Sequence, residues 1–344
     1  MYMSFETGIK CIDWIFDNVP AGKDKIEISF IGGEPLLEYD MLKKLVEYTE
    51  SHEHSVPYNF FAMTNGTLLN EEMKEWFSER KDCFKLGLSL DGNRDTQNHN
   101  RPNSFDRIDI GFFIDNWNPP SVKMTLSEYS LHNLASDIIF LHSKGFAIHG
   151  VNLFEGDFDW SKDEYIKTLV LQFKELVDFY VGNNTLQPCQ LFGRSLQNCE
   201  LLSKQMKKSC GMGHETIFFD VDGQIYPCTF VSPMTFSKKE LEGLSEFDLT
   251  DASNFNDQYC IDNCYIHPIC TCCYAENYKL CGSLNNRNKS KCRIQKLVAL
   301  FLADLHSKRI LKDRNIYDDT TLFYLIESIK KIRSVYLDEF MEYL

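Results

Sequence analysis

Cysteine spacing is the feature of this sequence best suited to chemistry. Nine of its thirteen cysteines lie between Cys210 and Cys292. Cys260, Cys264, Cys270 and Cys273 follow one another at intervals of three, five and two residues, and Cys272 sits beside the last. Upstream, Cys210 precedes Gly223-Gln224-Ile225-Tyr226-Pro227-Cys228, and Cys281 and Cys292 close the run. The opening residues lack the basic segment and apolar stretch of a secretory signal, so a cytoplasmic location is expected. Disulfides do not persist in a reducing compartment, and clustered thiols there read as metal ligands. Thiolates at such spacings hold either tetrahedral zinc or iron–sulfur clusters, and ligand type alone does not separate the two. Cys11, Cys83, Cys189 and Cys199 stand apart and read as small apolar core groups.

A second constellation is Ile28-Ser29-Phe30-Ile31-Gly32-Gly33-Glu34-Pro35. An apolar strand runs into two glycines, where a ligand can reach the main chain without meeting a Cβ. Glu34 then offers an acceptor to a cationic group, and Pro35 stops strand pairing. A plain strand-to-helix turn is the alternative for this stretch.

These residues need a frame. Apolar spacing predicts helices over 4–18, 39–51, 70–79, 133–144 and 162–181, with Ser4 and Asn70 as N-caps and Gly145 as a terminator. Between them, strands are predicted over 26–31, 58–63, 84–90, 122–126 and 146–153. Alternation of this kind argues for a parallel sheet with crossover helices, in which chemistry gathers at the C-terminal strand ends. Gly32-Gly33-Glu34, Thr64-Asn65-Gly66 and Asp91-Gly92 all fall there. After Gly182 the pattern breaks. Residues 215–220 and 224–226 read as a hairpin turned at Asp222-Gly223, then comes the cysteine-rich stretch, and 291–344 reads as two helices.

Composition narrows the function. Hydrophobic residues make up 43% of the 344 and charged residues 25%, ordinary values for a globular chain. No apolar run approaches the ~18 residues of a membrane span. A net charge of −14 repels phosphate backbones, so neither a membrane nor nucleic acid is expected as a partner. The segment 279–296 is locally basic, with Arg287, Lys289, Lys291 and Arg293. Such a run is either a solvated face or a balance for the negative charge of thiolate-ligated clusters nearby.

Taken together, the GGEP string, Thr64-Asn65-Gly66-Thr67-Leu68-Leu69, Leu88-Ser89-Leu90-Asp91-Gly92 and Asn100-Arg101-Pro102 resemble conserved segments of radical S-adenosylmethionine (SAM) enzymes. The cysteines resemble the seven-cysteine SPASM pattern of members that carry two auxiliary [4Fe–4S] clusters. The first interval of the middle run is three residues instead of two, and its last is two instead of three. Cys270-Thr271-Cys272-Cys273-Tyr274 resembles the CPTCYG of peptide-modifying members. The resemblance implies a partial (β/α)6 barrel over 1–182, a SPASM domain with its linker over 183–292, and C-terminal helices over 293–344. It implies that Gly32, Gly33, Glu34 and Pro35, with Asn65, Ser89 and Asp91, hold SAM. It also implies that Cys210, Cys228 and Cys273 hold one cluster, and that Cys260, Cys264, Cys270 and Cys292 hold the other, with Cys272 and Cys281 spare.

In that family a third [4Fe–4S] cluster binds SAM through C-x3-C-x2-C, in a loop after the barrel's first strand. The reduced cluster cleaves SAM to a radical that takes hydrogen from substrate. This sequence contains no such triplet. The expectation is that the triplet and a strand belong upstream of Met1 in the complete protein. The implied activity is thioether or carbon–carbon crosslinking of a ribosomally made peptide or protein, with a flavodoxin or ferredoxin as electron donor. One alternative is sulfatase maturation, whose enzymes carry aspartate where Thr229 follows Cys228 here. The other is a non-catalytic paralogue that binds a cluster or a peptide.

Overall fold

The computed structural model describes residues 2–153 and 159–344. Ser4 opens the first helix, α1 (Phe5–Asp17), its Oγ accepting the Thr7 N–H at 3.1 Å. Strand and helix then alternate through β1 (Ile26–Phe30), α2 (Tyr39–Glu50), β2 (Tyr58–Thr64), α3 (Glu71–Glu79) and β3 (Phe84–Ser89). The series goes on with α4 (Arg94–Asn100), α5 (Ile110–Asn116), β4 (Ser121–Leu126), α6 (Leu134–Ser143), β5 (Ala147–Leu153) and α7 (Asp163–Gly182). Asn70 caps α3 through the Met73 N–H, and Gly145 turns the chain after α6 at a φ of 87°.

The strands form one parallel sheet in chain order, β1-β2-β3-β4-β5, an open partial barrel with β1 at its edge. Ile26–Phe30 lie beside Tyr58–Ala62, and Phe60–Thr64 beside Phe84–Leu88. The common polarity puts all the C-terminal strand ends on one edge. Aromatic packing fixes the sheet to its helices. Phe60 and Phe84 stack at 5.7 Å, Phe77 of α3 meets Phe84 edge-on at 5.0 Å, and all three are fully buried. Each contributes about 1.5–3 kcal/mol by leaving water.

The second half holds α8 (Asn198–Leu201), a short hairpin of β6 (Phe218–Phe219) and β7 (Ile225–Tyr226), then α9 (Lys238–Leu244), α10 (Gln258–Asn263) and α11 (Tyr274–Cys281). Two long helices, α12 (Cys292–Lys312) and α13 (Asp319–Phe340), finish it. Gly223 makes the hairpin turn at a φ of 76°.

By contact the chain divides into two units. One comprises 1–130, 136–152 and 219–225, and the other 131–135, 153–218 and 226–344. Helix α7, which sequence pattern groups with the barrel, falls in the second unit, where Phe173 meets Phe301 of α12 at 5.5 Å. A small core of Met212, Val231, Phe236, Leu244, Phe255, Tyr274, Ala275 and Leu284 underlies the cysteine-rich stretch, with Cys228, Cys272 and Cys273 packed against it.

Candidate functional site

In the first unit, the strand ends carry the G-G-E-P turn. Gly32 and Gly33 are exposed, and a Cβ built on either would meet nothing within 4 Å. The main chain there is open to a ligand. Glu34 is half-buried and caps a short 3-10 turn over Pro35–Glu38. Its Oε1 accepts the Leu36 N–H at 3.1 Å and the Thr64 hydroxyl at 2.7 Å, and its Oε2 accepts the Asn65 N–H at 2.7 Å. One carboxylate thus joins the loops after β1 and β2. The Asn65 Oδ1 accepts the Thr67 N–H and hydroxyl, which shapes the second loop. Gly66 follows at a φ of 72°, where a Cβ would lie 2.8 Å from Leu88.

Ser89 ends β3, half-buried. Asp91 turns inward and is 1% exposed. Its Oδ1 accepts the Thr125 N–H at 2.8 Å, and its Oδ2 accepts Arg101 Nε at 3.0 Å and Asn100 Nδ2 at 3.3 Å. Asp91 therefore ties β4 to the segment after β3, and its oxygens are engaged within the chain. Below it, Asp137 of α6 is fully buried and accepts the Asn93 N–H at 2.9 Å. Burial raises its pKa to about 6, the neighbouring Asp91 adds to this, and the Asn93 bond opposes it. Sequence pattern gave no sign of this group, because an aspartate inside a helix reads as surface.

In the second unit the thiols form two neighbourhoods. Cys264 and Cys270 each lie within electrostatic reach of both Cys260 and Cys292. Cys292 opens α12, and burial, with Cys270 and Cys264 beside it, pushes its thiol up. Cys273 caps α11, its Sγ accepting the Glu276 N–H at 3.4 Å, and it shares the small core with Cys228 and Cys272. Cys210, exposed, lies within electrostatic reach of Cys272. Burial pushes the Cys260 thiol up to about 12 and Cys272 to about 11. A metal must therefore displace protons to bind them. Among the described residues, no three His, Cys, Asp or Glu side chains close on one point as a single metal ion requires. Cys11 is buried in the first unit, and Cys189 and Cys199 are buried in the second, while Cys83 is half-buried.

Cations separate the two neighbourhoods from an ordinary apolar core. Arg287 is 6% exposed, and its Nη1 donates to the Cys270 Sγ at 3.1 Å. Burial pulls its guanidinium toward neutrality, but Cys270, Cys272 and Cys260 more than offset that and hold it charged. Its Nε is buried with no acceptor. Half-buried Arg194 donates to the Ile269 carbonyl at 3.5 Å, and Lys207 donates to the Pro268 carbonyl. Among the described residues none of these three cations forms an ion pair with a carboxylate. A buried charge without a counter-charge is costly, so the seat fits an anionic, thiolate-ligated metal group. Of the basic run seen in sequence, only Arg287 does this. Lys291 pairs with buried Glu276 at 2.7 Å, Arg293 with Asp163 at 2.8 Å, and Lys289 is exposed. No helix among the described residues is long and apolar enough to cross a membrane.

The fold has known counterparts. Solved structures of anSMEcpe with bound AdoMet and Kp18Cys peptide, and with AdoMet and Cp18Cys peptide, superpose with a TM-score of 0.65. They are 18% and 19% identical to this chain and cover 92% of it, and the superposition spans 91% and 92% of their own chains. At that identity the likeness establishes the fold. In sequence, 90 residues are 33% identical to an uncharacterised protein of Methanocaldococcus jannaschii, covering 26% of this chain and 29% of that one. A further 85-residue match, 36% identical, is to the serine-type anaerobic sulfatase-maturating enzyme of Klebsiella aerogenes, covering 24% of this chain and 20% of that enzyme. The chain thus aligns with less than a third of the length of either curated relative. No family model matches the chain.

Proposed function

We propose that this chain carries the SAM-binding barrel and the auxiliary iron–sulfur unit of a radical SAM maturase that crosslinks a ribosomally made peptide or a protein. The observation that carries the reading is the grouping of Cys260, Cys270 and Cys292 about the buried Arg287, which makes its hydrogen bond to Cys270 at 3.1 Å, with Cys264 in reach of Cys260 and Cys292. These four would hold one [4Fe–4S] cluster, and Cys210, Cys228 and Cys273 the other. The open glycines at 32 and 33 leave main-chain groups free for the amino-acid end of SAM, and Glu34 supplies negative charge for its ammonium. The fold shared with AdoMet- and peptide-bound enzymes supports both assignments and a peptide as substrate. A flavodoxin or ferredoxin would deliver electrons. The sequence holds no C-x3-C-x2-C, so these residues do not fit the cluster at which SAM is cleaved, and no step through that cluster is assigned to them.

The Klebsiella relative favours a second reading, maturation of a sulfatase. Exposed Thr229, directly after Cys228, weighs against it, because a hydroxyl cannot replace the carboxylate base expected there.

Anaerobic purification and reconstitution test the proposal. Iron and sulfide for two [4Fe–4S] clusters with brown absorbance are expected, and SAM should bind weakly, because the cluster iron that would anchor its amino-acid end is not held by these residues. A colourless protein holding stoichiometric zinc would refute the cluster assignment. Full iron with no SAM binding even at high SAM concentration would leave the non-catalytic, cluster-bearing reading in its place.

A further inference from the structure

Three cations converge on three consecutive residues. Lys207 donates to the carbonyl of Pro268, Arg194 to that of Ile269 at 3.5 Å, and Arg287 to the Sγ of Cys270 at 3.1 Å. They come from separate parts of the chain, and Arg194 is held in place by Gln295 Oε1 at 2.5 Å, three residues after Cys292. The nearby His267 is 2% exposed, and burial followed by the charges of Arg287 and Lys207 pushes it down to about 4, so it adds no charge at neutral pH. The thiols that face this seat carry negative charge only once ligation has removed their protons, and Asp257 acts on Cys260 and His267 from the start of α10. The balance around Cys270 is therefore positive.

We propose that Arg287 sets the reduction potential of the cluster held by Cys260, Cys264, Cys270 and Cys292, with Arg194 and Lys207 as outer members of the same seat. The inference rests on reading those cysteines as cluster ligands. Reduction adds one electron, and so one negative charge, to such a cluster. A cation hydrogen-bonded to a ligand sulfur favours the reduced state and raises the potential. Arg287 acts here as a positioning residue: it touches a ligand sulfur and no substrate.

The test is a dithionite titration of the reconstituted chain, followed by electron paramagnetic resonance, with iron counted in each variant. Arg287→Gln is expected to keep its iron and to shift the midpoint of one cluster to a more negative potential. Arg287→Lys should return most of that shift. Lys289→Gln, with the same charge change on an exposed neighbour, should leave the midpoint in place. If Arg287→Gln fails to load, Lys207→Gln supplies the answer, with a smaller shift in the same direction expected. Iron-loaded Arg287→Gln or Lys207→Gln at the parent midpoint would overturn the inference while leaving the cluster assignment standing. A parent chain without iron would overturn the assignment itself, which separates the two failures.

Discussion

The carboxylate of Glu34 accepts the main-chain N–H of Asn65 and the hydroxyl of Thr64, each across 2.7 Å. One acidic side chain thereby fixes the loop after β1 to the loop after β2, at the point where the glycines leave the main chain open. The residue proposed to face a ligand's ammonium is also the clamp that shapes the ligand's surroundings.

Removing that clamp should be felt in stability as well as binding. Glu34→Ala leaves the Asn65 and Leu36 N–H groups without their acceptor, at a cost of about 1–3 kcal/mol. A urea melt of the barrel unit should show it as a lower midpoint with an unchanged slope. An unaltered midpoint would mean that water replaces the carboxylate freely.

Glycine substitutions separate scaffold from ligand surface. Gly66→Ala places a Cβ 2.8 Å from Leu88 at a φ of 72°, and about 1–3 kcal/mol of stability should be lost. Gly32→Ala and Gly33→Ala meet nothing and should melt like the parent, within about 0.5 kcal/mol. Calorimetry with SAM should nevertheless show weaker binding for that pair. Equal SAM affinity in all three proteins would remove the glycines from the proposed site.

Much of this frame is legible in the sequence for local reasons. Ser4 and Asn70 cap their helices because a short polar side chain precedes an apolar period, and both bonds form. Helix α4 (Arg94–Asn100) escapes such reading, since it has no apolar period and only the Asn93 cap announces it. Helix α7 is legible as a helix but not in its allegiance, because its apolar face does not say which partner covers it. Likewise the basic run is visible, yet which of its four cations turns toward the thiols depends on pairing with Glu276 and Asp163 from distant parts of the chain.

Stability of the barrel unit should depend on pH through Asp137. Its carboxyl titrates near 6 in the fold against 3.8 when unperturbed, so the folded state binds more protons between those values. Stability is therefore greatest below about 4 from this group, falls as pH rises to about 6, and loses at most about 3 kcal/mol. Asp137→Asn should flatten this slope in urea melts between pH 4 and 7. A variant with the parent slope would assign the dependence elsewhere.

Cysteine replacement should sort the thirteen into two kinds. Alanine at Cys260, Cys264, Cys270 or Cys292 should remove the iron of one cluster and loosen the second unit, since ligation there is coupled to folding. Alanine at Cys11 or Cys83 should leave the iron count unchanged. Loss of iron from Cys11→Ala would contradict its place in the apolar core beneath α1, where it is 8% exposed.

The glycines also bear on how the gene can drift. At Gly92 a Cβ would fall 2.2 Å from the Asp137 carboxyl carbon, at a φ of 150°, and Gly66 is closed in by Leu88. Selection for folding alone is enough to keep those two, whether or not the protein retains an activity. Gly32 and Gly33 face open space, and folding places no comparable demand on them. Lineages that abandoned the ligand would be free to change that pair while keeping Gly66 and Gly92, so its persistence among relatives would record use of the ligand.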